Sequence, residues 1–320
     1  MKRILIYCVY DKEGIADNYV LYFLNSFKDI CDYICIVANC DLTQESKTNL
    51  EGISNKLILR ENNGFDSAAF KHAIKILGYD TLKLYDELIL ANDTVYGPIY
   101  NISDVFNKMS EKHVDFWGIT QHPEINGSFA GTKVKMHLQS YFLVFKNNIV
   151  QSPIFQEFWD NLQVPQNYEE AVAFFELNIT DFFVKKGFTF GSYINLDDYM
   201  KYCPVPYFYF TDKMMQQENL PFIKRKVFGT KQGIIEFHVN GGQSKLINLI
   251  KKETNYDTNL IYKNIARTYF KNLKNSTIIK KLIFTKFKQF VLPWQWKHYD
   301  LKSKCVLETL KINKKFIAMK

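Results

Sequence analysis

The sequence lacks the roughly eighteen consecutive apolar residues that a membrane-spanning helix requires. Residues 1–10 carry two basic residues before a short apolar run, but they lack a small-residue cleavage site, and the polar residues 11–13 end the run early. We interpret residues 1–10 as a buried parallel strand instead of a signal peptide. A protein that is soluble, or attached only at a membrane surface, is expected.

Cysteine is sparse and shows no functional spacing. The six cysteines match neither the paired CxxC of zinc sites nor a small secreted disulfide framework. Reduced, buried thiols in a cytosolic protein are therefore expected. Low-complexity linkers and internal repeats are also missing. With 47% hydrophobic and 16% aromatic residues, the chain has enough apolar surface for one large domain and an appendage.

Positive charge is concentrated toward one end of a chain whose net charge is +8. Residues 241–320 hold 18 Lys and Arg against 4 Asp and Glu, whereas residues 1–240 hold 23 against 29. The acidic front argues against nucleic-acid binding, and no motif for it is recognised. The basic part favours contact with an anionic surface, although the abundance of Lys, Asn and Ile throughout also fits a coding bias.

Strand and helix patterns alternate through the first 120 residues. Strands are predicted at 3–10, 33–38, 56–60, 87–91 and 115–120, and helices at 17–32, 42–50, from residue 66 and at 102–111. Further strands are predicted at 137–145 and 188–194, and helices at 153–162 and 168–186. This order requires an α/β fold with a mainly parallel sheet flanked by helices. At Gly241-Gly242 the composition shifts, which predicts a domain of residues 1–240 and a basic, mostly helical extension of residues 241–320.

Polar motifs follow two of the predicted strands. Residues 61–66 (ENNGFD) follow strand 56–60, and residues 92–98 (NDTVYGP) follow strand 87–91. The carboxyl ends of strands in an open α/β sheet line the crevice where ligands bind, so both motifs predict a nucleotide site of the kind a glycosyltransferase needs.

Five of these residues are candidates for binding a nucleotide-sugar donor. Asp93, with Asn92 beside it, is placed to hold Mg²⁺ or Mn²⁺ on the diphosphate, or else to form an Asx turn. Asn63 and Gly64 permit close backbone approach to the donor, or merely a turn. Asp66 would bind ribose or sugar hydroxyls, cap the following helix, or do both.

Six ordered blocks of the chain resemble the rhamnan synthesis protein F family. They are residues 62–71 (NNGFDSAAFK), 85–98 (YDELILANDTVYGP), 115–120 (DFWGIT), 137–145 (HLQSYFLVF), 168–172 (YEEAV) and 221–226 (PFIKRK). The resemblance runs from about residue 10 to 228. It implies an A-type, Rossmann-like glycosyltransferase fold that acts in bacterial cell-surface polysaccharide assembly, with rhamnosyl transfer from a deoxythymidine-diphosphate sugar as the namesake reaction. The usual Asp-X-Asp metal motif is replaced by Asn92-Asp93-Thr94, which leaves one carboxylate.

An inverting transfer needs a carboxylate that removes the proton of the acceptor hydroxyl. Glu169 and Glu170 open a helix in a matched block, and either is a candidate base, unless both merely complement the helix dipole. Asp115, at the start of a strand, is a third candidate that also fits a structural role.

Two further groups are candidate ligand-binding residues. Lys224 and Lys226 interrupt an apolar stretch and would neutralise the leaving diphosphate, or lie in a solvated loop. His137, Gln139 and Tyr141 alternate on one strand face, where they would bind acceptor or sugar hydroxyls, or simply face water.

Residues 278–297 combine aromatic, aliphatic and lysine side chains and end near two tryptophans. This pattern suits a helix in the headgroup layer of an anionic membrane, or a packing helix. We therefore expect a cytoplasmic glycosyltransferase, peripheral on the inner face of the plasma membrane, that acts on a lipid-linked glycan. The alternative is a noncatalytic subunit that binds a glycan or a partner protein.

Overall fold

A computed structural model describes residues 1–196, 199, 206–229 and 242–269. The chain separates into two compact units, Met1–Ile194 and Asn195–Lys320. The predicted division at residue 240 falls in the second unit, beside residues outside the described ranges, and it stays a prediction.

The first unit is built on a sheet of seven strands, which are β1 Arg3–Val9, β2 Tyr33–Ala38, β3 Lys56–Leu59, β4 Glu87–Asn92, β6 Phe116–Gly118, β11 Phe142–Lys146 and β12 Phe190–Ser192. Their order across the sheet is β12-β6-β11-β4-β1-β2-β3. Neighbouring strands are parallel except around β11, which runs antiparallel to both β4 and β6. The predicted mainly parallel sheet is confirmed.

The central strands are continuous apolar runs because both faces of the sheet are covered. Every residue of β4 is buried, and so is every residue of β1 after Arg3. The covering helices are α1 Asn18–Ser26, α2 Gln44–Glu51, α3 Phe65–Leu77, α4 Tyr79–Leu82, α5 Ile102–Ser110, α6 Asn147–Val150, α7 Pro153–Asn161, α8 Tyr168–Ala171 and α9 Leu177–Lys185. A π-helical turn, Val172–Glu176, joins α8 to α9.

Aromatic side chains pack α7 and α9 against one end of the sheet. Phe116 of β6 and Phe145 of β11 stack with ring centroids 5.7 Å apart. Phe183 of α9 contacts both of these rings, and Phe155 of α7 lies 5.8 Å from Phe145. Offset and edge-to-face aromatic contacts add to the burial energy of each ring, so this cluster fixes the helix that carries Glu176 relative to the sheet.

The predicted helix at 17–32 ends at Ser26, the predicted strand at 188–194 is limited to Phe190–Ser192, and two further predicted elements are divided or interrupted. The predicted strand at 137–145 is divided into β10 His137–Leu138 and β11, because β10 leaves the main sheet and pairs with β7 Gln121–His122. The predicted helix at 168–186 is continuous in space but contains the π-helical turn. Short extended segments that the sequence pattern did not predict are β5 Val95–Tyr96, β8 Ser128–Phe129 and β9 Thr132–Lys133.

In the second unit, the described residues form short helices and one extended segment. The helices are Pro206–Tyr209, Thr211–Glu218, Lys226–Gly229, Gly242–Glu253 and Asn259–Tyr269, and the extended segment is Ile223–Lys224. Lys245 and the buried Asp212 form an ion pair of 2.8 Å. Among the residues described, no helix is both long and apolar enough to cross a membrane. The predicted membrane-surface segment 278–297 lies outside the described ranges.

Candidate functional site

The carboxyl ends of β1, β2, β3 and β4 meet at one edge of the sheet, here called the carboxyl edge, because these strands are parallel. The chain places an aspartate after each of them, and these are Asp11, Asp41, Asp66 and Asp93. The start of β11 and the end of β6 reach the same edge, since Phe142 pairs with Ala91 and Leu143 with Gly118. Polar residues from distant parts of the chain therefore share this edge.

The two predicted polar motifs are joined by a direct hydrogen bond. Asn92 Nδ2 donates to Asp66 Oδ2 at 2.7 Å. The other atom of the Asn92 amide, Oδ1, accepts from Thr94 Oγ1 at 2.6 Å and from the Thr94 backbone N at 3.2 Å. Asn92 therefore makes the Asx-type bond that the sequence pattern suggested for Asp93. Asp66 and Asn92 therefore lie together at the carboxyl edge.

Asp93 follows Asn92 at the carboxyl edge, and Asn92 bonds Asp66. The pKa of the Cys8 thiol is raised well above its usual value by burial first and then by the charges of Asp66 and Asp93. Tyr19 donates to the Asp93 carbonyl oxygen at 3.0 Å, and its hydroxyl lies 3.4 Å from Asp93 Oδ2. Asp93 is 9% exposed, so it lies at the base of the edge and not on its outer surface.

Asp66 is a partly buried carboxylate with an altered titration. Burial is the largest effect and raises its pKa, and the hydrogen bond from Asn92 opposes that rise. The negative charge of Glu176 raises the pKa further. Oδ1 accepts a hydrogen bond of 2.9 Å from the backbone N of Ser67. Asp66 lies inside the first turn of α3 and does not cap it, because Gly64 is the N-cap.

Gly64 is required by its own surroundings. Its φ of +86° is in the left-handed region, which favours glycine. A Cβ here would lie 2.6 Å from Ala68 Cβ and 2.6 Å from Val164 Cγ1. The segment between α7 and α8 therefore covers Gly64. Protein atoms occupy the space that the missing side chain of this glycine leaves. Its neighbour Asn63 is exposed.

Arg60 and Asn39 form a part of the edge that sequence analysis missed. Arg60 Nη1 donates to Asn39 Oδ1 at 2.7 Å, and Nη2 donates to the Asn63 carbonyl oxygen at 2.6 Å. Asn39 in turn donates to the Phe65 carbonyl oxygen at 2.9 Å. Burial lowers the pKa of Arg60, yet a guanidinium stays charged at neutral pH. A cation at the end of an apolar strand was the available sequence signal.

The predicted acceptor-side residues are buried, and Thr120 bridges two of them, Gln139 and Tyr141. His137, Gln139 and Tyr141 are 2%, 3% and 3% exposed. Thr120 Oγ1 donates to Gln139 Oε1 at 2.7 Å and lies 2.8 Å from the Tyr141 hydroxyl. This network supports the carboxyl edge from below. Burial is the largest cause that raises the pKa of Tyr141.

Two histidines and Glu176 lie beside this network. The rings of His122 and His137 stack with centroids 5.1 Å apart. Burial and then His137 lower the pKa of His122 to about 4, so it is neutral at pH 7. Glu176 Oε2 accepts hydrogen bonds from Ser140 N at 3.0 Å and Ser140 Oγ at 2.6 Å. Glu176 was not a sequence candidate, although a carboxylate among apolar helix residues was a usable signal.

Two of the predicted candidate bases, Glu169 and Glu170, lie at the start of α8. Glu169 is exposed, and Glu170 accepts hydrogen bonds from Gln166 N at 2.8 Å and Asn167 Nδ2 at 2.9 Å, which stabilises the start of α8. Asp115 precedes β6 and accepts from the Thr189 backbone N at 2.7 Å. Because Phe116 pairs with Phe145, near the end of β11, Asp115 lies at the opposite edge of the sheet from Asp93. The structure does not bring it to the site.

Lys224 and Lys226 belong to the second unit. Lys224 is half-buried in its extended segment, and Lys226 is exposed at the start of a helix. Their predicted contact with a diphosphate stays a prediction.

The carboxylate and amide oxygens at the carboxyl edge suit a hard divalent cation that is also bound by a substrate. Within the described part of the chain, no group of three or more His, Cys, Asp and Glu side chains is arranged to hold a metal ion. Mg²⁺ typically needs one or two protein carboxylates together with phosphate oxygens and water. Asp93 or Asp66, at the carboxyl edge, would supply one such carboxylate.

Comparisons with known proteins identify a family. The model of the family described as rhamnan synthesis protein F matches residues 34–308, which confirms the resemblance found in the sequence. A curated relative, the uncharacterized protein y4gN of Sinorhizobium fredii, is 24% identical over 172 residues, which cover 52% of this chain and 42% of the relative. The chain thus spans less than half the length of that relative.

Two solved structures show weaker similarity. A cytidylyltransferase from Leptospira borgpetersenii matches with a TM-score of 0.38 and 11% identity, over 80% of this chain and 100% of that chain. Mouse xyloside xylosyltransferase 1 matches with a TM-score of 0.35 and 12% identity, over 61% of this chain and 86% of that chain. The family match, and not these two similarities, bears on function.

Proposed function

The chain belongs to the rhamnan synthesis protein F family, and from that premise we propose that it is a nucleotide-sugar glycosyltransferase. The donor is a nucleoside-diphosphate rhamnose or a related hexose, and the acceptor is a hydroxyl of a lipid-linked cell-surface glycan. The observation that carries the proposal is the convergence of Asp66, Asn92 and Asp93 at the carboxyl edge, with Arg60 and Asn39 on the neighbouring strand ends.

These residues have complementary tasks toward a donor. The Arg60 guanidinium, which is held by neutral oxygens of Asn39 and Asn63, supplies positive charge for a phosphate and keeps unused N–H groups for further bonds. Asp66 accepts hydrogen bonds, so it suits the hydroxyls of ribose or sugar. The Asn92 amide keeps its carboxylate in place.

Asp93 would hold a divalent cation, Mg²⁺ or Mn²⁺, together with the donor phosphates. Such a cation, when bound, offsets the charge that develops on the leaving diphosphate. Asp93 and Asp66 without a counterion would repel a diphosphate, which is why a carboxylate pair at this edge favours a metal-bound donor. The Tyr19 hydroxyl near Asp93 Oδ2 restricts the orientation of that carboxylate.

The cellular setting extends the proposal. A lipid-linked acceptor requires access to a membrane surface, and the basic segment 241–320 would supply it by attraction to anionic lipid. The protein would then act in the cytoplasm, on the inner face of the plasma membrane. Flotation of the full chain and of a chain ending at residue 240 with anionic liposomes tests this. Equal partitioning of both would contradict it.

A donor panel tests the central proposal. The purified protein is screened by thermal stabilisation with dTDP-rhamnose, UDP-glucose, UDP-galactose and GDP-mannose, each with Mn²⁺ and with a chelator. Release of the nucleoside diphosphate is then measured for each donor that binds. We expect one donor to stabilise the protein in a metal-dependent way and to be turned over. Stabilisation without turnover would favour the noncatalytic subunit, and no stabilisation would contradict a donor site.

Asp93→Asn is the informative variant, because an amide keeps an acceptor for Tyr19 while it removes the metal-binding charge. We expect loss of metal-dependent donor binding with an unchanged melting temperature. Asp80→Asn is a matched control, since the Asp80 side chain is 98% exposed on α4. Full donor binding by Asp93→Asn would remove Asp93 from the site.

A further inference from the structure

Glu176 is a carboxylate that the donor site described above does not use. It ends the π-helical turn Val172–Glu176, and its side chain is 21% exposed. Single π-helical turns inside α-helices occur frequently at functional sites. The two hydrogen bonds from Ser140 both end on Oε2 and fix the orientation of the carboxylate.

The second carboxylate oxygen lies on the side of the His137 imidazole. Oε1 lies 4.0 Å from His137 Nε2. The other ring nitrogen, His137 Nδ1, lies 2.7 Å from the carbonyl oxygen of Lys135, which can only accept, so Nδ1 carries a proton. His122 Nδ1 lies 2.8 Å from the carbonyl oxygen of Pro123, and the same reasoning applies. In the neutral ring of His122, Nε2 is therefore an acceptor.

Glu176 lies within electrostatic range of the donor side of the carboxyl edge. Its charge raises the pKa of Asp66 on α3 and of Tyr141 at the start of β11, and it also acts on His122. The nearby Lys135 ammonium is bonded to Asp181 at 2.6 Å, which draws that cation toward α9. Glu176 thus connects the acceptor-side residues with the donor-side residues.

We propose that Glu176 is the catalytic base of the transfer reaction. Oε1 takes the proton of the acceptor hydroxyl while that oxygen attacks the anomeric carbon of the donor. The new C–O bond forms as the bond from the anomeric carbon to the diphosphate oxygen breaks, and its electron pair leaves with the nucleoside diphosphate. The proton then passes from Glu176 to water.

This inference rests on the proposed function, and it adds two things. It predicts inversion at the anomeric carbon, because a single in-line displacement exchanges one face of that carbon for the other. It also assigns Ser140 a positioning role, since Ser140 contacts the base and not the reacting atoms. General-base catalysis contributes about 100-fold to 10,000-fold to rates.

The test uses Glu176→Gln in the full chain, with the donor found in the panel and octyl glycosides as acceptors. We expect turnover to fall about 100-fold or more, while the donor affinity, measured by titration calorimetry, stays within about twofold because the donor contacts are untouched. Glu111→Gln, at an exposed glutamate after α5, is the matched control and should keep wild-type turnover. More than a tenth of wild-type turnover in Glu176→Gln would overturn the assignment.

Ser140→Ala keeps the test decisive if Glu176→Gln does not fold. A carboxylate that loses a hydrogen bond is protonated more readily, so the acid limb of turnover against pH should move to higher pH, with donor affinity unchanged. An unmoved limb, or retention of anomeric configuration in the product, would overturn the inference. If the inference fails in this way while the wild type still turns over a donor, the proposed function stands. If the wild type turns over no donor at all, both the inference and the proposed function are overturned.

Discussion

Asn92 donates a hydrogen bond of 2.7 Å to Asp66, and this bond joins the end of β4 to the first turn of α3. The two residues come from separate polar motifs, each at the end of its own strand. The bond makes one half of the carboxyl edge a single unit, so a change at either residue should alter the position of the other.

Asp66→Asn should stabilise the protein at neutral pH and weaken donor binding. Burial raises the pKa of Asp66 in the folded state, so its contribution to stability is complete below the unfolded-state pKa and is lost as the pH rises through the folded-state pKa. Asparagine keeps one oxygen for Asn92, gives up the bond from the Ser67 backbone N, and has no such pH-dependent loss. The melting temperature should therefore exceed that of wild type at pH 7.5.

The difference in melting temperature between Asp66→Asn and wild type should shrink as the pH falls toward about 4, where the unfolded-state carboxyl is protonated. Scanning calorimetry at a series of pH values measures it. Asp80→Asn should show no pH-dependent gain, because its side chain is exposed. A variant less stable than wild type at pH 7.5 would contradict the prediction.

Gly64→Ala should destabilise the protein more than Gly187→Ala. The two glycines have φ values of +86° and +92°, but a Cβ at Gly187 meets nothing within 4 Å, whereas one at Gly64 meets Ala68 and Val164 at 2.6 Å. The left-handed backbone costs alanine about 1 kcal/mol at either position. The clash adds about 1–3 kcal/mol at Gly64, and urea unfolding of both variants measures the difference.

Arg60→Lys should weaken nucleoside-diphosphate binding about tenfold, a change equivalent to one lost charge-assisted hydrogen bond. One ammonium cannot reproduce the two separate bonds to Asn39 and Asn63 while it contacts a phosphate. Arg3→Lys is the matched control at the other edge of the sheet, where Arg3 pairs with Glu87 at 2.6 Å. Equal affinities for all three proteins would exclude Arg60 from the donor site.

His122→Phe should reduce the loss of stability in mild acid. The pKa of His122 is lowered to about 4 in the folded protein from an unfolded value of 6.5, so unfolding takes up a proton between these pH values and stability falls as the pH falls. Removing the imidazole should reduce the slope by up to about 1.4 kcal/mol per pH unit. His113→Phe, at an exposed histidine, tests whether the loss of any imidazole reduces the slope of stability against pH.

The buried strands were predictable because a strand covered on both faces is a continuous apolar run. Tyr33–Ala38 has the predicted bounds, and Glu87–Asn92 extends its prediction by one residue. The direction of β11 was not predictable, since the spacing of apolar residues is the same in parallel and antiparallel strands. The polar motifs at the ends of β3 and β4 were noticed for a different reason, namely that ligands bind at the carboxyl ends of the strands in an open α/β sheet.

The residues that were missed depend on contacts between distant parts of the chain. Asn39 and Arg60 lie on different strands, and their bond requires β2 and β3 to be adjacent. The position of the Glu176 side chain was not predictable from regular helical spacing. A regular α-helix from Tyr168 places residues at 3.6 per turn, and the π-helical turn changes which face they occupy.

The π-helical turn makes chain length, as well as residue identity, a determinant of where Glu176 points. Each residue of an α-helix advances about 100° around its axis, so removing one residue from Val172–Glu176 would rotate either the glutamate or everything before it by roughly that angle. A single-codon deletion at this turn would thus redirect an unaltered side chain. In sequences of similar proteins, the spacing between the capped start of α8 and the acidic position is the quantity to compare.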